Sequence, residues 1–171
     1  MNKIKLSNLK LKTFTEQDAT DYCQINNINT DNITELDLTN NKLTDISGIK
    51  LFKNIKELCL NNNKLTDISV IKPFKNLEYL NISFNKITDI SVLKNLTELE
   101  HLSIGNNQIS DISFLQNLNN LKSLNIRGLE LKSDQIQYIN SLNNLKELIY
   151  YKGFKDISVL NKLNKNIRII K

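Results

Sequence analysis

The chain has no tryptophan, one proline, one histidine, four glycines and two cysteines. Each scarcity excludes a class of protein. Two cysteines cannot make the disulfide framework of a small secreted domain, so Cys23 and Cys59 read as free thiols of a reducing compartment. Two cysteines and one histidine do not supply the ligand set of a structural zinc site. No apolar run approaches the ~20 residues needed to span a bilayer, so no membrane association is expected. The opening stretch, MNKIKLSNLK, lacks the apolar segment of a secretory signal. The expectation is an intracellular, cytoplasmic protein, secreted only if a signal segment was removed. The sequence contains neither a glycine-rich phosphate loop nor a dinucleotide fingerprint. The net charge of +5 comes from lysines dispersed along the chain, the pattern of a solvated surface and not of a nucleic-acid footprint.

What is present is repetition. Ile33 to Asn54 reads ITELDLTNNKLTDISGIKLFKN, and three further ungapped copies start at Ile55, Leu77 and Leu99, giving a period of 22 residues. Within the first copy, Leu36 and Leu38 lie two apart between polar Glu35, Asp37 and Thr39, which predicts a short strand with one buried face. Asn41 follows. An inward asparagine carries donors and an acceptor for backbone groups left over in a buried turn, and it recurs as Asn63, Asn85 and Asn107. Asp45, Asp67, Asp89 and Asp111 recur one residue before an isoleucine, where each can cap a short helical turn. That local role is preferred to calcium binding by the column. Ile46, Ile49 and Phe52 are spaced by three, which suits a 3₁₀ turn on the outer side. One such unit cannot enclose its own apolar set, whereas stacked units can.

The pattern LxxLxLxxNxLxDISxLxxLxx resembles the leucine-rich repeat in its 22-residue form. The DIS segment is similar to internalin-type repeats of bacterial surface proteins, and the length resembles repeats of intracellular phosphatase regulators. Similar Asn-, Ile- and Lys-rich repeat proteins occur in pathogens and large DNA viruses. The resemblance covers about Ile33 to Asn166. It implies an α/β leucine-rich-repeat solenoid, a short horseshoe arc with a parallel inner sheet, a mostly 3₁₀ or irregular convex side and an N-terminal helical cap.

Residues 1–32 read as that cap. KIKL and LKLK predict a short strand pair, or one strand laid over the first repeat, and a helix is predicted from about Glu16 to Asn26, with Thr15 as its cap. Six repeats are expected over 33–166, starting at 33, 55, 77, 99, 121 and 145, with a terminal strand over 167–171. The fifth departs from the pattern: Leu129 holds the asparagine position, and Ser133 is expected to cap a true outer α-helix of two to three turns. In the sixth, Gly153 is expected at the turn. No separate C-terminal cap is legible; that end is either covered by Lys171 and polar neighbours or used for contact.

The concave surface of a curved solenoid is its usual binding site. Read by columns, it is acidic and amide-rich in the first two repeats and carries Tyr79, Phe84, His101, Arg127, Ile149 and Tyr151 further on. Aromatic residues and arginine dominate interface hot spots, so these six form the candidate partner-binding patch. His101 has Ser103 and Cys59 on nearby strands, but all occupy open, solvent-facing columns, so no enzyme activity is expected. The reading is non-catalytic protein binding through the concave face, with a host protein as the partner if the pathogen resemblance holds. It needs no metal, cofactor or nucleic acid. A phosphatase-regulator-like scaffold and a self-associating structural protein are the alternatives. The chain is read as a monomer, with self-association through the C-terminal end left open.

Overall fold

The structure is a computed structural model; it describes residues 2–152, 154–164 and 166–170, and of Ile157 the backbone alone. Eight three-residue strands form one parallel sheet in sequence order: β1 (Lys3–Lys5), β2 (Glu35–Asp37), β3 (Glu57–Cys59), β4 (Tyr79–Asn81), β5 (His101–Ser103), β6 (Ser123–Asn125), β7 (Glu147–Ile149) and β8 (Arg168–Ile170). The register is set by the inward leucines. Ile4, Leu36, Leu58, Leu80, Leu102, Leu124, Leu148 and Ile169 pair in turn along the sheet. A slip of one residue would turn each of them to water, which is why the pattern fixes the pairing. All except Ile169 are buried, and they belong to one continuous apolar core. The outer side is made of short 3₁₀ turns, among them Ser47–Leu51, Ser91–Asn95 and Ser113–Asn117.

The asparagine column works as a ladder between repeats. The Asn63 amide nitrogen donates to the carbonyls of Leu38 and Leu60, both at 3.0 Å, and its Oδ1 accepts from the Leu43 N–H at 3.0 Å. Asn85 and Asn107 repeat the arrangement one and two units on. Each side chain thus satisfies backbone groups of its own turn and of the previous one. The aspartates act locally: Asp45, Asp67, Asp89 and Asp111 each accept from the N–H two residues on, at 2.7–2.8 Å.

The N-terminal segment is grafted onto this array. Of the two alternating runs, only the first forms a strand. Asn8 and Lys10 take left-handed φ, and the Leu9 and Leu11 amides donate to Asn41 Oδ1 instead of extending a ladder. The helix α1 (Glu16–Ile25) starts with a reciprocal capping box between Thr15 and Asp18. It buries Ala19 and Cys23, and Phe14 stacks on Phe52 with ring centroids 6.4 Å apart. Gly48 makes this docking possible. Its N–H donates to the Phe14 carbonyl at 2.8 Å, and a Cβ there would overlap the Thr15 backbone. The same position in the next three repeats holds Val70, Val92 and Phe114.

The outer segment of the fifth unit is a 3₁₀ turn, Ser133–Gln135, running into α2 (Ile136–Asn140), together about two turns. Ser133 is not its cap. It lies inside the first turn, which begins after Lys132 without a side-chain cap. Gln135 instead reaches back, its Oε1 accepting from the Ile112 N–H at 3.0 Å. The turn expected at Gly153 and the end cover expected from Lys171 lie outside the described residues.

Candidate functional site

The inner sheet positions side chains by column, and the six candidates fall into three groups. Tyr79 and His101 stand on adjacent strands, β4 and β5, with ring centroids 6.1 Å apart and planes tilted by 38°. Tyr79 is half-buried and His101 exposed. Arg127 and Tyr151 follow β6 and β7, and the guanidinium carbon lies 5.2 Å from the centre of the Tyr151 ring. Ile149, half-buried, ends β7 two residues before Tyr151. Phe84 stands apart. It is 53% exposed and makes no ring pair among the described residues.

Phe84 is also unusual in its backbone. Its φ is +55°, in a column whose other members are Asn40 (+60°), Asn62 (+59°), Asn106 (+53°), Gly128 (+74°) and Lys152 (+52°). Asparagine and glycine enter the left-handed region at little cost, whereas a bulky side chain is strained there. The column also carries a side-chain amide ladder, Asn62 to Asn40 to Asn8, which stops at Phe84. A strained residue that is at once large, apolar and exposed points to a role outside folding.

Three features were not in the columns as read from the sequence. First, the acidic end is less acidic than Glu35, Asp37 and Glu57 suggest, because β1 brings Lys3 within 2.7 Å of Glu35. Second, the position after the strand is not a uniformly outward column. Ser83 and Gly105 are buried, while Arg127 and Tyr151 are exposed. Here the chain begins to fold over, and Ser83 is held at 2.6 Å from Asn81 Oδ1. Third, Lys152 joins the arginine, its Nζ 5.7 Å from the Tyr151 ring centre. The sequence signal for Lys152 is only its place beside Tyr151; that the two cations share one ring needs coordinates.

The thiol of Cys59, on β3 between Asp37 and Asn81, is pushed up to about 11 by burial and then by the nearby Asp37 and Glu57 carboxylates. It is a protonated thiol at neutral pH, not a nucleophile. Among the described residues no cluster of His, Cys, Asp and Glu is arranged to hold a metal ion.

The family model of leucine-rich repeats, two copies at a time, matches residues 31–73, 53–95, 75–117 and 97–143. The chain belongs to the leucine-rich-repeat family. Its repeats are of internalin type: an internalin, InlF, of Listeria monocytogenes superposes with a TM-score of 0.74 at 34% identity, covering 81% of this chain and 41% of that one. Internalin C2 of the same organism gives 0.68 at 26% identity, covering 99% of this chain and 80% of that one. A leucine-rich-repeat protein of Leptospira interrogans gives 0.79 at 26% identity, covering all of this chain and 42% of that one. This leucine-rich-repeat chain therefore spans less than half the length of two of the three. Among curated proteins none matches it. The fold is commonly a protein–protein interaction module, and such modules are typically non-enzymatic. No helix among the described residues is long and apolar enough to cross a membrane.

Proposed function

We propose that this chain is a non-catalytic protein-binding module whose concave face takes its partner at Tyr79, Phe84, His101, Arg127, Ile149 and Tyr151. The observation that carries the reading is Phe84. It is a large apolar side chain, more than half exposed, kept at a left-handed φ in a column otherwise filled by asparagine, glycine and one lysine. Departures from local consistency of this kind concentrate at functional sites. Support comes also from a solved relative, the leucine-rich-repeat ectodomain of the Arabidopsis receptor kinase HAESA in complex with a peptide hormone, which superposes at a TM-score of 0.70 with 26% identity over 94% of this chain and 28% of that one.

The test is the double substitution Tyr79→Ala with Phe84→Ala, assayed against proteins recovered by pull-down from a lysate. Loss of a recovered partner with the fold intact supports the reading, and undiminished binding refutes it. Recovery of a phosphatase catalytic subunit would favour the scaffold alternative over a host-protein partner. One observation favours self-association as a second reading. Ile169 occupies an inward register position on the last strand yet is 40% exposed, so the array's C-terminal edge presents apolar surface. Light scattering that rises with concentration, and is abolished by Ile169→Lys, would support it; a strict monomer would remove it.

A further inference from the structure

Two cations converge on one exposed ring at the C-terminal side of the inner face. Arg127 lies 5.2 Å and Lys152 5.7 Å from the centre of Tyr151, and all three are exposed. Among the described residues the ion pairs are Lys3–Glu35, Lys50–Glu16, Lys56–Glu78, Lys122–Glu100 and Arg168–Glu147; neither Arg127 nor Lys152 takes part. Glu130 meets Lys152 through the backbone, its N–H donating to the Lys152 carbonyl at 3.2 Å. Two like charges held about one aromatic ring repel one another, and an anion placed between them relieves the repulsion.

The ground between this pair and Phe84 is low. The intervening positions are Gly105 and Gly128, which bear no side chain, and half-buried Asn106. Gly128 suits the place: its φ is +74°, and a Cβ would displace the end of the Asn106 side chain. Phe84 stands on the other side, two repeats from Arg127 and three from Lys152, or about 10–14 Å at the spacing of parallel strands. That span equals about three to four residues of extended chain.

We propose, on the basis of the protein-binding reading above, that this furrow takes an extended segment of a partner protein with an acidic side chain set two to four residues from a large apolar one. The carboxylate sits between Arg127 and Lys152, where the guanidinium offers a forked pair of donors. The apolar side chain packs on Phe84 and covers it. A nucleic acid would need a longer basic track than two cations beside Glu130 and Glu147 supply.

The test is selection of random dodecapeptides displayed on phage against the intact chain, with counter-selection on Arg127→Glu/Lys152→Glu. Phe84, Arg127 and Lys152 are exposed and Tyr79 half-buried, and thermal melts confirm that each variant folds. The expected result is enrichment of Asp or Glu two to four residues from Leu, Ile, Phe or Trp. Such peptides lose about tenfold or more in affinity for the charge-reversed variant, as expected when a charge-assisted contact is removed, and also weaken against Phe84→Ala. Enriched peptides without an acidic bias, equal binding to the charge-reversed variant, or no enrichment at all would overturn the proposal. So would an oligo-dT probe that binds with the same dependence on Arg127. Peptides that lack the acidic bias but still fail against Tyr79→Ala/Phe84→Ala would overturn this inference and leave concave-face binding standing. Peptides indifferent to both variants would overturn both.

Discussion

The stretch from Ile33 to Asn120 and the stretch from Leu121 onward share one strand register but are held together by different means. In the first, every turn is wired to its neighbour by a buried or half-buried asparagine, and every outer segment opens with an aspartate accepting from the N–H two residues on. In the second, the fifth unit has Leu129 as an apolar plug in place of the asparagine and a short α-helix after its 3₁₀ turn, the sixth keeps only the aspartate and the 3₁₀ turn, and Ile169 on β8 is exposed. The regular stretch gives the array its rigidity. The irregular one supplies Arg127 and Lys152, which join no ion pair among the described residues, and Phe84 belongs to the third repeat of the regular one. Repetition makes a frame, and exceptions to it mark the proposed binding places.

The comparison can be broken most severely at the ladder. Asn63→Leu puts into the regular stretch the residue that position 129 already carries. It orphans the Leu43 amide and takes one of two donors from the Leu38 and Leu60 carbonyls, which keep Asn41 and Asn85. At about 1–3 kcal/mol for the unsatisfied amide and about 1 kcal/mol for each carbonyl bond lost, a loss of roughly 4 kcal/mol is expected from urea unfolding. A loss below about 1 kcal/mol would mean that the ladder is dispensable. Next comes the cap. Gly48→Val installs the side chain found at positions 70 and 92, yet it should cost about 3 kcal/mol by lifting Phe14 and α1 off the first repeat. The reverse change, Val70→Gly, should cost only about 1 kcal/mol. Equal costs would show that the cap does not sit where it is described.

A smaller effect of opposite sign is expected at Phe84. Phe84→Asn relieves the left-handed strain and lets the amide ladder run on from Asn62 to position 84. It should stabilise by about 1 kcal/mol, raising the thermal midpoint by about 2–4 °C while weakening partner binding. A lower midpoint would show that Phe84 serves folding. The smallest effect is that of pH. Asp18 is held below the ordinary carboxylate range by the Thr15 N–H and then its hydroxyl, and Asp89 and Asp156 by the N–H groups of Ser91 and Ser158. Folded values below the unfolded ones mean a contribution present above the ordinary aspartate value, near 4, and lost as pH falls through the lower folded values. The thermal midpoint should be flat between about pH 5 and 7 and drop below about pH 4. These groups are exposed, so Asp18→Asn should soften the drop only slightly.

The frame was legible because a side chain that recurs every 22 residues must do the same job in every unit. Leu36 and Leu38 two apart fixed the strand, and Asn41, recurring in the turn between Leu38 and Leu43, had few roles besides satisfying buried backbone. The site was legible only as exceptions. Tyr79, Phe84 and Tyr151 stand out in columns of small polar residues, but a column does not show backbone strain or which neighbours share a ring. Phe84's left-handed φ could be inferred from the asparagines and glycine above and below it. The grouping of Lys152 with Arg127 could not, since it depends on how two long side chains bend over Tyr151. Lys3 was missed as the partner of Glu35 because β1 precedes the first recognisable repeat, and the pairing follows from register instead of period. Ser133 misled because a cap residue works only in the position before the turn, and this turn begins one residue earlier than the spacing suggests.

Native-state hydrogen exchange tests the contrast between the two stretches most directly. The amides of Leu38, Leu60 and Ile82 each donate across to the next strand within the regular repeats, while Tyr150 does so at the last pair, to Ile170. The account predicts that the first three exchange slowest and at a common free energy, as one cooperative unit, and that Tyr150 exchanges faster through local opening of the C-terminal edge. Uniform protection across all four, or fast exchange at Ile82, would contradict it.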